Sequence, residues 1–164
     1  MPRISPDAAG GKNVCAFLDM IKWSEIGPEM IAASDDGYNV LVGSLPGKLK
    51  LFHGYAHHPH ILNHKLDSTA AGGYQIIYPT WMNLAEKLRL SSFRPICQDM
   101  AAIGLLHERN AMDDIVNGRF ESAVFKCSRE WASLPGSTAG QHVNKIHDLQ
   151  MAYVKAGGKL DSHG

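Results

Sequence analysis

Helical periodicity fills the second half of the sequence, and it limits the possible folds more than any other feature. From Pro79 to the Ala-Gly-Gly at 156–158, apolar residues recur every three or four positions in successive segments. Pro79 suits the first turn of a helix, and Gly118 and the glycine pair suit helix ends. The pattern predicts helices in the segments 79–88, 95–109, 111–118, 120–131 and 143–155.

One further helix is expected in the first half of the chain. The segment 13–25, NVCAFLDMIKWSE, has apolar residues at helical spacing. Asn13 is the expected N-cap, and Gly27 with Pro28 is the expected stop. The polar residues 1–12 before this helix are expected to form a flexible leader of a single domain that spans 1–164.

Short apolar segments between these helices are typical of strands. They are YNVLVG, KLKLF and GYQII, at 38–43, 48–52 and 73–77, and a Ser-Leu-Pro-Gly turn joins the first two. The sequence therefore predicts an α+β fold. A mostly helical lobe and a small antiparallel sheet would hold a cleft between them.

Charge and cysteine content exclude several classes of protein. Sixteen basic residues balance sixteen acidic ones, so the sequence lacks the electrostatic signature of nucleic-acid or anionic-membrane binding. The N-terminus has no apolar signal-peptide region, and no apolar run approaches the roughly 18 residues of a membrane helix. Cys15, Cys97 and Cys127 lie far apart without a CxxC spacing, so we expect small buried hydrophobes rather than disulfides or a zinc ribbon. We expect a cytoplasmic protein without a cofactor.

Glu25 is the first candidate for chemistry. It follows Phe17 and Ile21 at four-residue steps, so it shares their core-facing stripe in the last turn of the predicted helix. The partial negative charge of a helix C-terminus and apolar surroundings both disfavour the carboxylate, which raises its pKa. Such a glutamic acid could donate a proton near neutral pH, as glycosidic cleavage requires. A solvent-facing or backbone-capping Glu25 is the alternative.

The stretch STAAGGYQII, at 68–77, places two glycines before an apolar segment that carries one glutamine. Gly72 and Gly73 allow backbone conformations that suit a tight turn or a close approach of the main chain to a ligand. Both interpretations remain open at this point.

Several segments together resemble the lambda-type endolysin family. They are AFLDMIKWSEIG (16–27), GYNVLVG (37–43), the His-Pro at 58–59, KLDSTAAGGYQII (65–77) and CSREWASLPG (127–136). The resemblance runs in order from about residue 14 to residue 158. It implies a lysozyme-like fold and a lytic transglycosylase that cleaves the β-1,4 bond between N-acetylmuramic acid and N-acetylglucosamine in peptidoglycan, leaving 1,6-anhydro ends. Glu25, within WSEIG, matches the single catalytic acid of the family.

The resemblance also suggests substrate contacts. GGYQI is similar to the turn that lines the cleft floor in lysozyme-like transglycosylases, so Gln75 would bind an N-acetyl or hydroxyl group near the cleaved bond. Tyr74 and Gln75 would point to opposite faces of a strand, so only one of them could face the sugar. Ser68 and Thr69 are weaker candidates, because they also suit a turn. His58 is a further candidate.

Two loops would form the lips of the cleft, at 53–65 and 133–142. Both contain Gly and small residues and could close on a glycan strand. The first lip is a few residues shorter than in the family, which leaves its subsite contacts open. It also carries five histidines, namely His53, His57, His58, His60 and His64. A zinc site is the alternative, but the HExxH spacing is missing, and we expect a solvated loop without metal.

Two other functions remain open. Asp35 or Asp36 could hold a water molecule opposite Glu25, which would make the enzyme a hydrolytic muramidase. Turn carboxylates exposed to solvent are the simpler interpretation of these two residues. A non-catalytic wall-binding module with the same fold is the second alternative.

The resemblance also implies where the enzyme acts. An endolysin without a signal peptide stays in the host cytoplasm until a holin permeabilises the membrane and releases it to the periplasm. Its partner would be the peptidoglycan glycan strand, without nucleic acid and without stable membrane insertion. A monomer is the simplest expectation for a cleft enzyme of this size.

Overall fold

The computed structural model describes residues 1–137 and 142–161, and helices account for most of its regular structure. In chain order these are α1 (Pro6–Ala9), α2 (Lys12–Glu25), α3 (Pro28–Ala32), α4 (Tyr78–Leu88), α5 (Pro95–Glu108), α6 (Met112–Val116), α7 (Phe120–Cys127) and α8 (Ile146–Lys155). None of these helices is long and apolar enough to cross a membrane.

Helix α2 lies at the centre of the helical part. It packs against α1, α5, α6 and α8, and its apolar face is fully buried. Phe17 on this face makes edge contacts with the rings of Phe120 and Tyr153, at centroid distances of 5.9 and 6.4 Å. The predicted periodicity of this helix is therefore correct, and burial of these rings holds the helix against the core.

Several predicted helix boundaries differ from the structure, and α8, expected from residue 143, begins at Ile146. Gly11, not Asn13, is the N-cap of α2, and Asn13 lies inside the helix. Its side chain donates to the carbonyl of Ile115 at 3.1 Å and accepts from the amide of Lys159 at 3.0 Å, so it links three parts of the chain. Helix α7 ends at Cys127 and does not reach the buried Trp131.

The N-terminal residues, expected as a flexible leader, pack onto the domain. They form α1, and Ile4 is buried in the core. The backbone amides of Arg3 and Ile4 donate to Oδ2 of the buried Asp99, at 2.7 and 3.0 Å. An apolar side chain and a buried acceptor therefore anchor this segment.

The small antiparallel sheet is the part of the predicted fold that the structure does not support. In the described residues, antiparallel pairing occurs only as isolated bridges, which join Val40 to Leu51, Leu41 to Ala71, Leu45 to Lys48, Asn63 to Ser68, and Ala71 to Ile76. Left-handed residues interrupt the pleat: Gly72 has φ +85° and Gln75 has φ +48°. The expected strand 73–77 is therefore a tight turn between Ala71 and Ile76.

A buried polar cluster fixes this turn to helix α5. Gln98 accepts from the amide of Gly73 at 3.0 Å and donates to the carbonyl of Tyr38 at 3.1 Å. Asp99 accepts from the hydroxyls of Tyr38 and Tyr74, at 2.8 and 2.6 Å. Because buried polar groups that are fully hydrogen-bonded specify one geometry, the cluster holds the turn in one position.

The cysteines are partly as expected. Cys97 and Cys127 are buried, whereas Cys15 is only partly buried. All are free thiols, and burial raises the pKa of the Cys127 thiol to about 12. Cys97 and Cys127 therefore act as small apolar side chains.

Candidate active site

Glu25 is the last residue of α2, and its half-buried carboxyl is held by a chain of hydrogen bonds. The hydroxyl of Ser133 donates to Glu25 Oε2. Ser24 Oγ lies 2.7 Å from Ser133 Oγ, and Asn144 Nδ2 donates to Ser24 Oγ at 2.9 Å. The Ser133 hydroxyl uses its one proton in the bond to Glu25, so Ser24 must be the donor in its contact with Ser133. Each hydrogen bond of the chain is therefore donated in the direction of the Glu25 carboxyl.

This environment raises the pKa of Glu25 to about 7. Burial is the cause, and the hydrogen bonds from Ser133 oppose it because they stabilise the carboxylate. The predicted rise is therefore confirmed. Near neutral pH both the protonated and the ionised form of the carboxyl are therefore populated, so the group can both give and accept a proton in one reaction cycle.

The Glu25 carboxyl opens into a cavity of about 610 Å³, which we call the catalytic cavity. This volume lies in the range of pockets that enclose small ligands. The described residues that line it are Glu25, Ile26, Met30, Val40, Val42, Gly43, Ser44, Leu45, Leu66, Ser68, Ala70, Gln75, Ile77, Glu130, Ala132 and His142. The cavity therefore combines an apolar wall with a few polar groups, as ligand-binding pockets generally do.

Gln75 lies in the same cavity as Glu25. Its Nε2 donates to the carbonyls of Gly72 at 2.8 Å and Val40 at 3.1 Å, which fixes the side chain inside the turn. Both Nε2 protons are used there, and no described residue donates to Oε1. Gln75 therefore presents an acceptor rather than a donor.

The two glycines of this turn are required by the protein's own side chains. A Cβ on Gly72 would lie 2.3 Å from Gln98 Oε1, and one on Gly73 would lie 3.0 Å from Lys22 Cδ. The turn thus packs closely against α5 and α2, and this close approach places Gln75 in the cavity.

Comparison with known proteins shows which family the chain resembles. The Endolysin family model matches residues 15–160. The chain belongs to the Endolysin family. It is 39% identical to an endolysin of Escherichia phage P2 over 155 residues, which cover 90% of this chain and 94% of that one. It is also 39% identical to the endolysin of Escherichia phage lambda over 150 residues, or 88% and 91% of the two chains.

Solved structures give the same result. A lambda lysozyme complexed with a chitohexasaccharide aligns with a TM-score of 0.81 and 36% identity, over 98% of this chain and 99% of that one. A second structure of lysozyme from bacteriophage lambda gives a TM-score of 0.78 and 34% identity over the same shares. The resemblance found in the sequence is therefore confirmed, and this endolysin has the lambda lysozyme fold and a function in lysis of the bacterial cell wall.

Several predicted substrate contacts lie elsewhere in the endolysin. Tyr74 is fully buried, and its hydroxyl donates to Asp99. Thr69 Oγ1 accepts from the amide of Tyr78 at 2.9 Å, so it fixes the start of α4. His58 is 5% exposed, bonds to the carbonyl of Ile76 at 2.8 Å and lines a separate cavity of about 420 Å³. The structure therefore does not support Tyr74, Thr69 and His58 as substrate contacts.

Ser68 lies with Glu25 and Gln75, although its hydroxyl also serves the turn. Ser68 Oγ accepts from the amide of Ala70 at 3.1 Å, and its backbone pairs with Asn63. Its hydroxyl proton is not used in that bond and could be donated to a ligand.

Asp35 and Asp36 do not line the catalytic cavity. Asp35 accepts from the hydroxyl of Tyr55 at 2.6 Å, and Asp36 lies 3.3 Å from the Nζ of the buried Lys22. These contacts give both carboxylates structural partners. The hypothesis that one of them works opposite Glu25 is therefore not supported.

Glu130 is the carboxylate that the sequence did not reveal. It lines the catalytic cavity, and its Oε1 accepts from Nε of Arg109 at 2.8 Å and from Nη2 at 2.5 Å. It lies in the segment 127–136, which carries part of the family resemblance, but no periodicity marks it as a residue of the cavity. Ser24, Ser133 and Asn144 were also missed as partners of Glu25, although Ser24 and Ser133 lie in segments that carry the family resemblance.

Part of the second predicted lip, 138–141, lies outside the described residues. Of the rest, Ser133 holds Glu25 and His142 lines the catalytic cavity. Across residues 1–137 and 142–161 the structure forms no group of three or more His, Cys, Asp or Glu side chains with the geometry of a metal site.

Proposed function

We propose that this endolysin is a peptidoglycan lytic transglycosylase in which Glu25 is the single catalytic acid and base. The observation that carries the proposal is the Glu25 carboxyl, with a pKa of about 7, at the end of α2 in a cavity of glycan size. The lambda lysozyme that shares the fold was solved with a chitohexasaccharide, which supports a β-1,4-linked amino-sugar chain as the ligand.

The reaction needs one proton donor near the glycosidic oxygen. Ser133 occupies Oε2 of Glu25, so the transferable proton belongs on Oε1. Glu25 gives this proton to the oxygen that leaves the anomeric carbon of N-acetylmuramic acid, which breaks the bond to N-acetylglucosamine. The Glu25 carboxylate then takes the proton of the C6 hydroxyl as that oxygen attacks the same anomeric carbon. A 1,6-anhydro ring forms, and Glu25 regains its proton.

The other residues of the cavity support this mechanism. The nucleophile belongs to the sugar itself, so no second carboxylate has to position water. The other described carboxylate in the cavity, Glu130, is paired with Arg109. Gln75 Oε1 would accept a hydrogen bond from a hydroxyl or N-acetyl group of the bound sugar, and Ser68 could donate one.

Mass spectrometry of digested peptidoglycan tests the reaction. We expect muropeptides one water lighter than hydrolytic products and resistant to borohydride reduction. Glu25→Gln should remove these products, whereas Glu86→Gln, an exposed change in α4, should not. Full-mass ends that borohydride reduces would instead show hydrolysis. If wild type released no product and Glu25→Gln bound glycan equally well, the protein would be a wall-binding module.

The proposal includes access to the substrate. The enzyme would act as a monomeric single domain, stay in the host cytoplasm until lysis and reach the wall after a holin opens the membrane. Fusing a cleavable signal peptide should then cause lysis without the holin. Lysis by the unfused enzyme in a host without holin would contradict this step.

A further inference from the structure

A second cavity adjoins the catalytic cavity and is not explained by glycan cleavage. It has a volume of about 530 Å³, and Glu130 and Ala132 line both cavities. We call it the side cavity. A ligand bound next to Glu25 could therefore extend past Glu130 into the side cavity, provided that a branch leaves its main chain there.

The walls of the side cavity offer groups for a charged peptide. Arg129 is exposed and makes no ion pair or hydrogen bond within the described part of the chain. Phe125, also in the wall, is 68% exposed, although it is a large apolar residue. An unpaired guanidinium favours a carboxylate, and an exposed ring favours a methyl or methylene group.

Glu130 stands at the junction with a free acceptor. Both hydrogen bonds from Arg109 go to Oε1, and no described residue donates to Oε2. Two donors of the Arg109 guanidinium on this one oxygen hold the carboxyl group in place. Oε2 can therefore accept from an amide N–H of a ligand that passes from one cavity to the other.

The backbone at Gly136 lies close to two other residues that line the side cavity, Phe125 and Ser128. Gly136 has φ +100°, and a Cβ there would lie 3.0 Å from both Phe125 Cδ2 and Ser128 Oγ. Only glycine allows this backbone to touch the ring without displacing it. The side cavity is thus shaped by contacts specific to this loop.

We infer that the side cavity binds the peptide stem on the lactyl group of N-acetylmuramic acid, with Arg129 on a stem carboxylate and Glu130 on a stem amide. This inference rests on the proposed function, because it takes the peptidoglycan strand as the ligand of the catalytic cavity. A stem is a branch of the glycan, and it carries amide donors, alanine methyl groups and free carboxylates. A stretch of N-acetylglucosamine units would offer Arg129 no anion.

The test compares two substrates: soluble uncrosslinked glycan strands that keep their stems, and the same strands after an amidase has removed the stems and the lactyl carboxylate left on each N-acetylmuramic acid has been capped as its methylamide. We expect wild-type enzyme to show a higher kcat/KM on strands with stems. Arg129→Gln should lower the ratio of the two kcat/KM values roughly tenfold, the worth of one charge-assisted hydrogen bond, mainly through KM. Arg129→Glu should lower it further, because it repels the stem carboxylate.

Arg94→Gln is the matched control, because Arg94 is exposed and lines neither cavity. It should leave the ratio unchanged. A ratio that is the same for wild type, Arg129→Gln and Arg129→Glu would overturn the inference. Because a ratio is measured, partial loss of folded enzyme cancels out.

Binding measurements separate this inference from the reaction itself. Glu25→Gln should bind strands with stems more tightly than stripped strands, and adding Arg129→Gln should remove most of that difference. If products proved to be hydrolytic while this difference remained, the proposed reaction would fail and the stem site would stand. Equal binding of both strands by Glu25→Gln would overturn the stem site even if 1,6-anhydro products were found.

Discussion

Replacing Glu25 by Gln should make the protein more stable as it makes the enzyme inactive. Burial raises the pKa of Glu25 from 4.5 to about 7, so the folded state holds the proton more strongly than the unfolded state. Between these values stability falls as pH rises, because the folded protein must bury a charge that the unfolded chain exposes to water. At about 1.4 kcal/mol per pKa unit, the cost above pH 7 is at most about 3 kcal/mol.

Glutamine keeps the shape and still accepts from Ser133, but it cannot ionise. We therefore expect Glu25→Gln to raise the free energy of unfolding by up to about 3 kcal/mol at pH 8 and to leave it almost unchanged at pH 4. Urea unfolding at several pH values measures this difference. Turnover of peptidoglycan should fall roughly 10²- to 10⁴-fold, the usual cost of losing a general acid.

Glu86→Gln controls for removal of one negative charge, because Glu86 is exposed in α4. Its effect on stability should be small at every pH. A Glu25→Gln variant that is equally or less stable than wild type at pH 8, or that gains the same amount at pH 4 and pH 8, would refute the reasoning. The carboxyl would then not be held in a site that disfavours its charge.

Three further predictions follow from the same contacts. Ser133→Ala removes the side-chain hydrogen bond that lowers the pKa of Glu25 and keeps the backbone one, so the loss of activity above neutral pH should move to higher pH in a pH–rate profile; an unchanged profile would contradict this. Gly72→Ala should destabilise by more than about 1 to 3 kcal/mol in urea unfolding, because backbone strain adds to a contact at 2.3 Å with a buried amide oxygen. Gly54→Ala has a similar φ of +82° but open space around it, so it should show the strain alone. Tyr74→Phe should destabilise by about 1 to 3 kcal/mol and leave KM unchanged, because its hydroxyl serves a buried carboxylate and not the cavity; a raised KM would restore it as a substrate contact.

The sequence predicts the helices well because burial sets their apolar spacing. Helix α2 and the later helices lie where the periodicity places them, and the phase of Glu25 relative to Phe17 and Ile21 correctly predicts a carboxyl in a site that disfavours its charge. The sequence predicts that both the helix end and burial raise the pKa of Glu25, whereas in the structure burial is the cause. Apolar spacing shows which side chains are buried. It therefore identifies a residue such as Glu25, whose pKa depends on burial.

The sheet could not be predicted in the same way. Alternation at 73–77 assumes extended backbone, but Gln75 has φ +48°, a conformation that few side chains adopt and that no pattern of polarity reveals. The error carried over to Tyr74, which was expected to compete with Gln75 for the sugar. Instead, packing against α5 turns the Tyr74 ring into the core, and the cost of the left-handed Gln75 is offset by two hydrogen bonds from its side chain.

The hydrogen bonds around Glu25 show what limits prediction of the site itself. Ser24 is adjacent to Glu25, but Ser133 and Asn144 are more than one hundred residues away and lie in irregular segments. Neither residue type is unusual in a loop, so only the fold reveals that Asn144, Ser24 and Ser133 donate in one direction. That direction bears on the proposed mechanism, because the Ser133 hydroxyl donates its only proton to Glu25 Oε2, so the proton for catalysis would lie on the other carboxyl oxygen. The sequence identifies which group can hold a proton near neutral pH, whereas the tertiary contacts indicate which of its oxygens would deliver that proton in the proposed reaction.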